Sequence, residues 1–588
     1  MDKHRSRDIT DPPTDRLACH FLYLARLVLQ TEAPLSIGQG DPGPFDNDLV
    51  RDANGLPAIP GSSFAGVLRH AFRRRLASSG LAPVDTEITE GEQAQVPVSD
   101  TEDATTFLFG GTGEQELHSR VAVSWGCIHD SHDRPVEGLL LSDDRRRLFE
   151  DPLLRDALQA APILRDHVAI DHRGVAANSA KFQRASLTKG HRFSIEISMW
   201  SDRSEDPHWR ALLHLLESPG FRLGGATRRG LGALKVVRRH QRMFDMTSPR
   251  DFDDFAALSP SLADTTGLVS VDADSAEAAH ASHEEVMASQ TDGIGVELEL
   301  TPVDTFLFGG GSAAINPNWD NDAKMKPIRE TMVSWHEGSG SIGETYCLIP
   351  ASSVKGALRH RTAYHYHALR GIYADCASDP LTTYASDPRE ALGLARADSP
   401  KAVPAAYQTR HNPAVFALFG SAPLENREAV ATSDESDPEP DGWTRPGLVL
   451  IEDKHLSKDR VTPLLLRHNS IDRFTGGVRR HVLFGEEVAT LSPPGSEGPA
   501  RQGSKKKGPV RAVEPIRLAM RVLQPDDPAL RPREVRQAFN RALVDLAEER
   551  LALGAGGNRG HGYFRGRVIW EDGGTWVNGE PQGGHHES

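Results

Sequence analysis

Apolar residues in this chain recur at two periods. In Val296-Glu-Leu-Glu-Leu300 they alternate with acids at period two, the pattern of a half-buried strand. The segment from His20 to Leu29 is apolar in patches and reads as a second strand. In Phe64, Val67, Leu68, Ala71 and Phe72 the apolar positions fall at i, i+3, i+4, i+7 and i+8, which predicts a helix with one buried stripe. Pro60-Gly61 breaks the chain ahead of it, and Ser62 or Ser63 can cap it. Arg69 and Arg73 lie one turn apart and off the stripe. Further strands are predicted over 234–238 and 563–569, each after a glycine-rich turn. Strands and helices interleaved in this way predict an α+β sandwich of ferredoxin type.

The pattern occurs twice. Ile59-Pro-Gly-Ser-Ser-Phe-Ala-Gly-Val-Leu-Arg-His70 returns as Ile349-Pro-Ala-Ser-Ser-Val-Lys-Gly-Ala-Leu-Arg-His360, with eight of twelve positions identical. Leu35-Ser-Ile-Gly-Gln-Gly40 pairs with Phe306-Leu-Phe-Gly-Gly-Gly311, and Phe107-Leu-Phe-Gly110 with Ala417-Leu-Phe-Gly420. Phe45-Asp-Asn-Asp48 pairs with Trp319-Asp-Asn-Asp322, and Ala169-Ile-Asp-His-Arg173 in part with Ser470-Ile-Asp-Arg-Phe474. Leu223-Gly-Gly-Ala-Thr-Arg-Arg-Gly-Leu-Gly232 pairs with Leu553-Gly-Ala-Gly-Gly-Asn-Arg-Gly-His-Gly562. Matching elements in one order mean a duplicated domain. The expected division is a first domain over 1–240, an acidic linker over 241–292, a second domain over 293–575 and a disordered tail over 576–588.

Composition refines this. A length of 588 residues exceeds what one core serves, and no apolar run approaches a bilayer span. Cys19, Cys127, Cys347 and Cys376 are widely separated, without a CxxC pair, which suits a reducing cytoplasm better than a disulfide or zinc framework. The net charge of −15 argues against nucleic acid until its distribution is seen. Gln241 to Asp292 holds eleven acids against two arginines, and Leu81 to Ser119 has nine acids with no Lys or Arg. Elsewhere arginines cluster, as in Arg73-Arg-Arg75, Arg228-Arg229 and Arg479-Arg480. Base on one face with acid in loops is one reading; ordinary solvated surface is the other.

Three constellations could carry chemistry. The first is the Ser-Ser helix start, Ser62-Ser63 and Ser352-Ser353, where free N–H groups and a basic residue one turn along suit a phosphate. Arg69, Arg73, Lys355 and Arg359 supply that charge; the alternative is an ordinary cap over a core helix. The second is the glycine-rich turn with Arg228, Arg229 and Arg559, which lacks the Gly-Lys-Ser/Thr of a P-loop and otherwise reads as a tight β-turn. The third is the loop pair Asp46 with Asp48, and Asp320 with Asp322, able to hold Mg²⁺ or orient a ribose hydroxyl, or else to shape an Asx turn. The histidines show no metal-binding spacing.

Gly55-Leu-Pro-Ala-Ile-Pro-Gly-Ser-Ser-Phe-Ala-Gly-Val-Leu-Arg69 resembles the signature of the RAMP superfamily of CRISPR proteins. So do the closing glycine-rich turn and Ile471-Asp-Arg-Phe-Thr-Gly-Gly477. The resemblance implies ferredoxin-like palms that grip a CRISPR guide RNA, thumb hairpins that kink the guide–target duplex, and other effector subunits as partners. It also implies a loop aspartate that cuts complementary target RNA with Mg²⁺ or Mn²⁺. Asp46 matches that position by its spacing to Pro60-Gly61-Ser62, and Asp320 is its expected partner in the second copy, with Asp304 and Asp322 as competitors. Arg473, beside the Phe-Thr-Gly-Gly segment, is an expected RNA contact. Ala65 departs from the family lysine that Lys355 retains. Two fused copies resemble the multi-domain subunits of type III-D-like systems. The implied activity is endonucleolytic, giving a 2′,3′-cyclic phosphate and a 5′-OH. A purely structural subunit and a guide-processing nuclease are the rival readings.

Overall fold

The computed structural model describes residues 19–40, 45–78, 100–111, 118–170, 176–271, 293–310, 323–371, 412–421, 445–479, 484–492 and 513–579. Among them lie two palms of the same topology. The first is built from β1 (Phe21–Thr31), α1 (Gly61–Ser78), α2 (Asp100–Phe109), β2 (Val121–Val123) and β3 (Cys127–Ile128). Two short helices follow, α3 (Arg147–Glu150) and α4 (Pro152–Ala157), then a hairpin of β4 (Ile163–Ile170) and β5 (Ala176–Ser186). β6 (Arg192–Ser201), α5 (Pro207–Leu215) and β7 (Leu234–Asp245) complete the unit, with α6 (Pro249–Ala256) and β8 (Val269–Ser270) appended. The sheet runs β2-β6-β1-β7-β8, and β1 is antiparallel to both neighbours. This is the ferredoxin strand order, with the last and third strands flanking the first.

In the second palm, β9 (Ile294–Pro302) is followed by β10 (Ala323–Met325) and a long hairpin of β11 (Arg329–His336) and β12 (Ser339–Ile349). Next come α7 (Ala351–Leu369), α8 (Pro413–Phe419), the small strands β13 (Gly420–Ser421) and β14 (Arg445–Pro446), then β15 (Val449–Ile451) and β16 (Lys454–Leu456). A thumb of β17 (Val461–His468) and β18 (Phe484–Leu491) precedes β19 (Ile516–Val522), α9 (Arg533–Ala547), β20 (Phe564–Trp570) and α10 (Thr575–Asn578). The sheet order β15-β19-β9-β20 repeats that of the first palm.

Each palm has its own core. Phe64, Leu68, Ala71 and Phe72 pack on Leu27, Leu29, Phe193 and Ile195, and Val354 and Leu358 pack with Leu298, Phe539 and Phe564. The stripe expected on α1 is therefore the buried face. Among the described residues no helix is long and apolar enough to cross a membrane, and Cys19, Cys127 and Cys347 are free thiols.

Two boundaries differ from expectation. The segment expected as an acidic linker is structured over its first part. β7 runs on to Asp245, α6 follows, and β8 pairs back onto β7. The buried Arg26 fixes this extension by donating to the carbonyls of Ser259, Ser261 and Asp264. At the other end, Trp576 and Val577 are buried, and Arg536 donates to the Trp576 carbonyl at 2.7 Å, so the expected tail begins inside the fold.

The two palms are locked together. On β4, Arg165 meets Glu330 and Asp453 of the second palm. The backbone N–H of Val333 donates to Lys189 O and that of Gly340 to Ser131 O, while Trp335 Nε1 donates to Gly190 O. Arg192 stacks on the Trp335 ring, 4.2 Å from its centroid.

Candidate nucleic-acid interface

The first palm presents an open basic helix. Gly61 starts α1 so close to β2 that a Cβ there would lie 2.2 Å from Val123 O, which explains glycine at this position. Ser62 is exposed and Ser63 half-buried, while Arg69 and Arg73 are exposed and have no acidic partner among the described residues. Burial and the charges of Arg73, Arg74 and Arg69 hold the His70 imidazole below its ordinary value.

In the second palm the equivalent helix is covered by protein. Lys355 is buried, and its Nζ donates to Arg228 O at 3.1 Å and Val449 O at 3.4 Å. Burial, with Arg228, Arg229 and Arg359 nearby, pushes its pKa down to about 7. The backbone N–H of Ala351, at the start of α7, donates to Asp453 Oδ1 at 2.7 Å. Ser352, Ser353 and Arg359 are half-buried around this contact. The family lysine thus joins the two palms, because the first palm's glycine-rich turn occupies the place expected for a phosphate.

That turn shows the same use. Gly230 has φ +93°, and a Cβ there would lie 2.8 Å from Ala351 Cβ and Asp453 Oδ1. The close approach that glycine permits is to the second palm. Arg228 donates from Nε to Gly447 O at 3.0 Å, and burial lowers it to about 10. Arg229 is half-buried and has no acidic partner among the described residues. In the second copy Arg559 differs, pairing with the fully buried Glu486 at 2.7 Å.

Asp46 sits where its loop meets the β4–β5 hairpin, which is the first thumb. It is exposed, and its Oδ2 accepts from the Gln183 backbone N–H on β5 at 2.7 Å, while Oδ1 has no partner among the described residues. Asn47 bridges Arg184 in parallel register. Asp48 is half-buried and accepts from Leu49 N. One free carboxylate oxygen, with a second carboxylate two residues on, fits a hard cation that keeps most of its waters.

The second copy breaks the expected pairing. Gly38 bridges Leu49 and Gly309 bridges Pro327, while Val50 donates to Ile37 O as Ile328 does to Phe308 O. Asn47 opposes Arg184 as Met325 opposes Glu486. The register therefore sets Phe45-Asp-Asn-Asp48 against Ala323-Lys-Met-Lys326, and Lys324 holds the place of Asp46. Asp320 and Asp322 lie outside the described residues, and Asp304 is exposed just ahead of Phe306.

The tip of the second thumb is bare. Asp472 Oδ1 accepts from the N–H groups of Phe474 and Thr475, forming a turn that displays Arg473 and leaves Phe474 94% exposed. Ile471 and Val478 are exposed beside it.

Sequence reasoning missed Arg165, Arg184 and Glu486, which lie in hairpin strands whose pairing sets their role. A grouping of Asp130, His132 and Asp151 is close enough for a cation, but its acids are engaged. Arg134 and Arg147 both bind Asp130, and Asp151 caps α4 through Leu153 N and Leu154 N.

The family model of the RAMP superfamily matches residues 28–235 and again 334–565. The chain belongs to that superfamily and carries two tandem copies, which makes it a CRISPR-associated RNA-binding subunit. None of the curated proteins compared with the chain matches it.

Proposed function

We propose that the chain is a double backbone subunit of a type III CRISPR effector, of the III-D-like kind, that holds guide RNA and cuts complementary target RNA at its first palm. The observation that carries this reading is Asp46, a carboxylate held by one oxygen at the seam of thumb and palm, the other having no partner among the described residues. Arg69 and Arg73 on the open face of α1 supply guide phosphate contacts, with Ser62 and Ser63 at the helix start. Arg473 and Phe474 at the thumb tip suit a wedge against a stacked duplex.

The reaction is attack of a ribose 2′-OH on its adjacent phosphorus. The P–O5′ bond breaks and the departing 5′-oxygen takes a proton from water, leaving a 2′,3′-cyclic phosphate and a 5′-OH. Asp46 accepts the 2′-OH proton or orients that hydroxyl. Mg²⁺ or Mn²⁺ on the free oxygen of Asp46 would supply charge neutralisation at the phosphate.

For the second palm a structural role is the better reading, because Lys324 stands in the register position of Asp46. Asp320 is the candidate there from the sequence alone. The test is cleavage of a labelled complementary RNA by the assembled complex carrying Asp46→Ala, Asp320→Ala or both. The reading requires loss of a cut with Asp46→Ala and intact target binding. An unchanged product ladder in the double variant would leave only the structural-subunit reading or a different nuclease site.

A further inference from the structure

We propose that Glu486 is a built-in substitute for a phosphate, closing in the second palm an anion site that Arg184 and Arg229 leave open to RNA in the first. This rests on the RNA-binding reading and adds an inequality between the copies.

The two sites share a set of backbone contacts. Gly225 N donates to Ser36 O at 2.7 Å, as Ala555 N does to Leu307 O. Arg229 N donates to Ala226 O, as Arg559 N does to Gly556 O, so Arg229 and Arg559 are equivalent. Leu35 bridges Leu187, as Phe306 bridges Ala489. Counting back three residues along each strand sets Arg184 against Glu486. The thumb bases agree as well. His167 stacks on Phe182 and His468 on Phe484, each pair 5.0 Å apart.

On this shared frame the charges differ. In the first palm Arg184 and Arg229 lie near one another with no acid facing either among the described residues. Arg184 Nε is buried without a hydrogen-bond partner, although Nη1 donates to Ser36 Oγ at 3.3 Å. Burial and the charge of Arg229 both lower the Arg184 pKa. The adjacent His167 is lowered to about 4 by burial and by Arg229, Arg165 and Arg184, with Asp166 opposing. Two half-buried guanidinium groups without a counter-ion are unfavourable unless an anion joins them, and phosphate is the anion that matches their paired donors.

In the second palm that anion is present as a side chain. Glu486 is fully buried, with Arg559 at 2.7 Å, His468 at 2.9 Å and His561 at 3.9 Å from its oxygens. His561 replaces Leu231, and its Nδ1 lies 2.7 Å from Thr305 Oγ1. A backbone phosphate entering here would meet a carboxylate already holding the arginine.

The experiment uses the full chain and labelled single-stranded RNA of mixed sequence, titrated across a range of KCl. Arg184→Gln and Arg229→Gln should each weaken binding roughly tenfold at low salt and reduce the log–log salt slope by about 0.7. Arg559→Gln should change neither, and Glu486→Gln, with its melting temperature checked, should tighten binding and steepen the slope. Equal losses in Arg229→Gln and Arg559→Gln would overturn this proposal alone, and Arg559→Gln decides the matter even if Glu486→Gln does not fold. A parent chain that fails to bind RNA would overturn the RNA-binding reading and this proposal with it.

Discussion

Arg165 on the first thumb donates from Nε and Nη2 to both carboxylate oxygens of Glu330 in the second palm, at 2.6 and 2.7 Å, with both side chains only 3% exposed. Its Nη1 lies 2.8 Å from Asp453 Oδ2. The arginine holds Glu330 down at about 2, whereas burial and the neighbouring Glu330 charge raise Asp453. Removing the arginine leaves two acids in a dry contact. Arg165→Met should therefore cost about 3–5 kcal/mol in denaturant unfolding. The deficit should grow as pH rises, since the two acids would have to ionise with only His455, 3.5 Å from Glu330, as a basic neighbour. A loss below 1 kcal/mol would show that water reaches the contact.

Lys355 gives the interface a second pH dependence of known sign. Its folded pKa of about 7 lies below the ordinary 10.5. Across that interval the unfolded chain binds a proton that the folded chain lacks, so stability rises with pH from 7 towards 10.5. Lys355→Met should flatten the parent's rise in unfolding midpoint. Parallel midpoint curves for parent and variant would place the ammonium in water.

Much of this architecture is legible from the repeat. Identity between Ile59–His70 and Ile349–His360 locates both first helices, and the period of Phe64, Leu68 and Phe72 gives the buried face. The aspartate pairing rests on matching letters, and Asp320 lies outside the described residues, whereas the described backbone sets Met325 opposite Glu486 as Asn47 is opposite Arg184. Lys355 carries the same motif letter in either role, and only the presence of Arg228 O beside it decides between RNA and protein. The extension after Gln241 reads as linker because it is acidic and rich in Ala, Ser and Asp, yet buried Arg26 holds it through carbonyls that leave no side-chain pattern.

Cleavage should separate from binding at Asp46. Asp46→Ala should lower the rate of one target cut by roughly 100-fold, the scale of a lost proton acceptor, with guide affinity unchanged. EDTA should stop the same cut in the parent. Asp46→Ala cleaving at the parental rate would move the chemistry elsewhere.

The open helix predicts a uniform electrostatic effect. Arg69→Ala with Arg73→Ala should weaken guide binding for every sequence tested and lower the salt slope by about 0.7 per lost contact. A loss confined to particular guides would mean base reading instead.

Phe474 should matter only when RNA is present. Phe474→Ala should shift unfolding by less than about 0.5 kcal/mol, since 94% of the residue is exposed. Measured by fluorescence of a base analogue, it should reduce unstacking in the guide–target duplex. A marked loss of stability would mean the ring packs on protein.

The first thumb reaches its receiving palm within a single polypeptide. The local concentration of one for the other is therefore fixed by chain geometry and does not fall on dilution. Separate subunits would have to find each other at cellular abundance and could join in unequal numbers. Here the ratio of the Asp46 palm to the Glu486 palm is one to one from translation onward, and the two cannot drift out of step along an RNA.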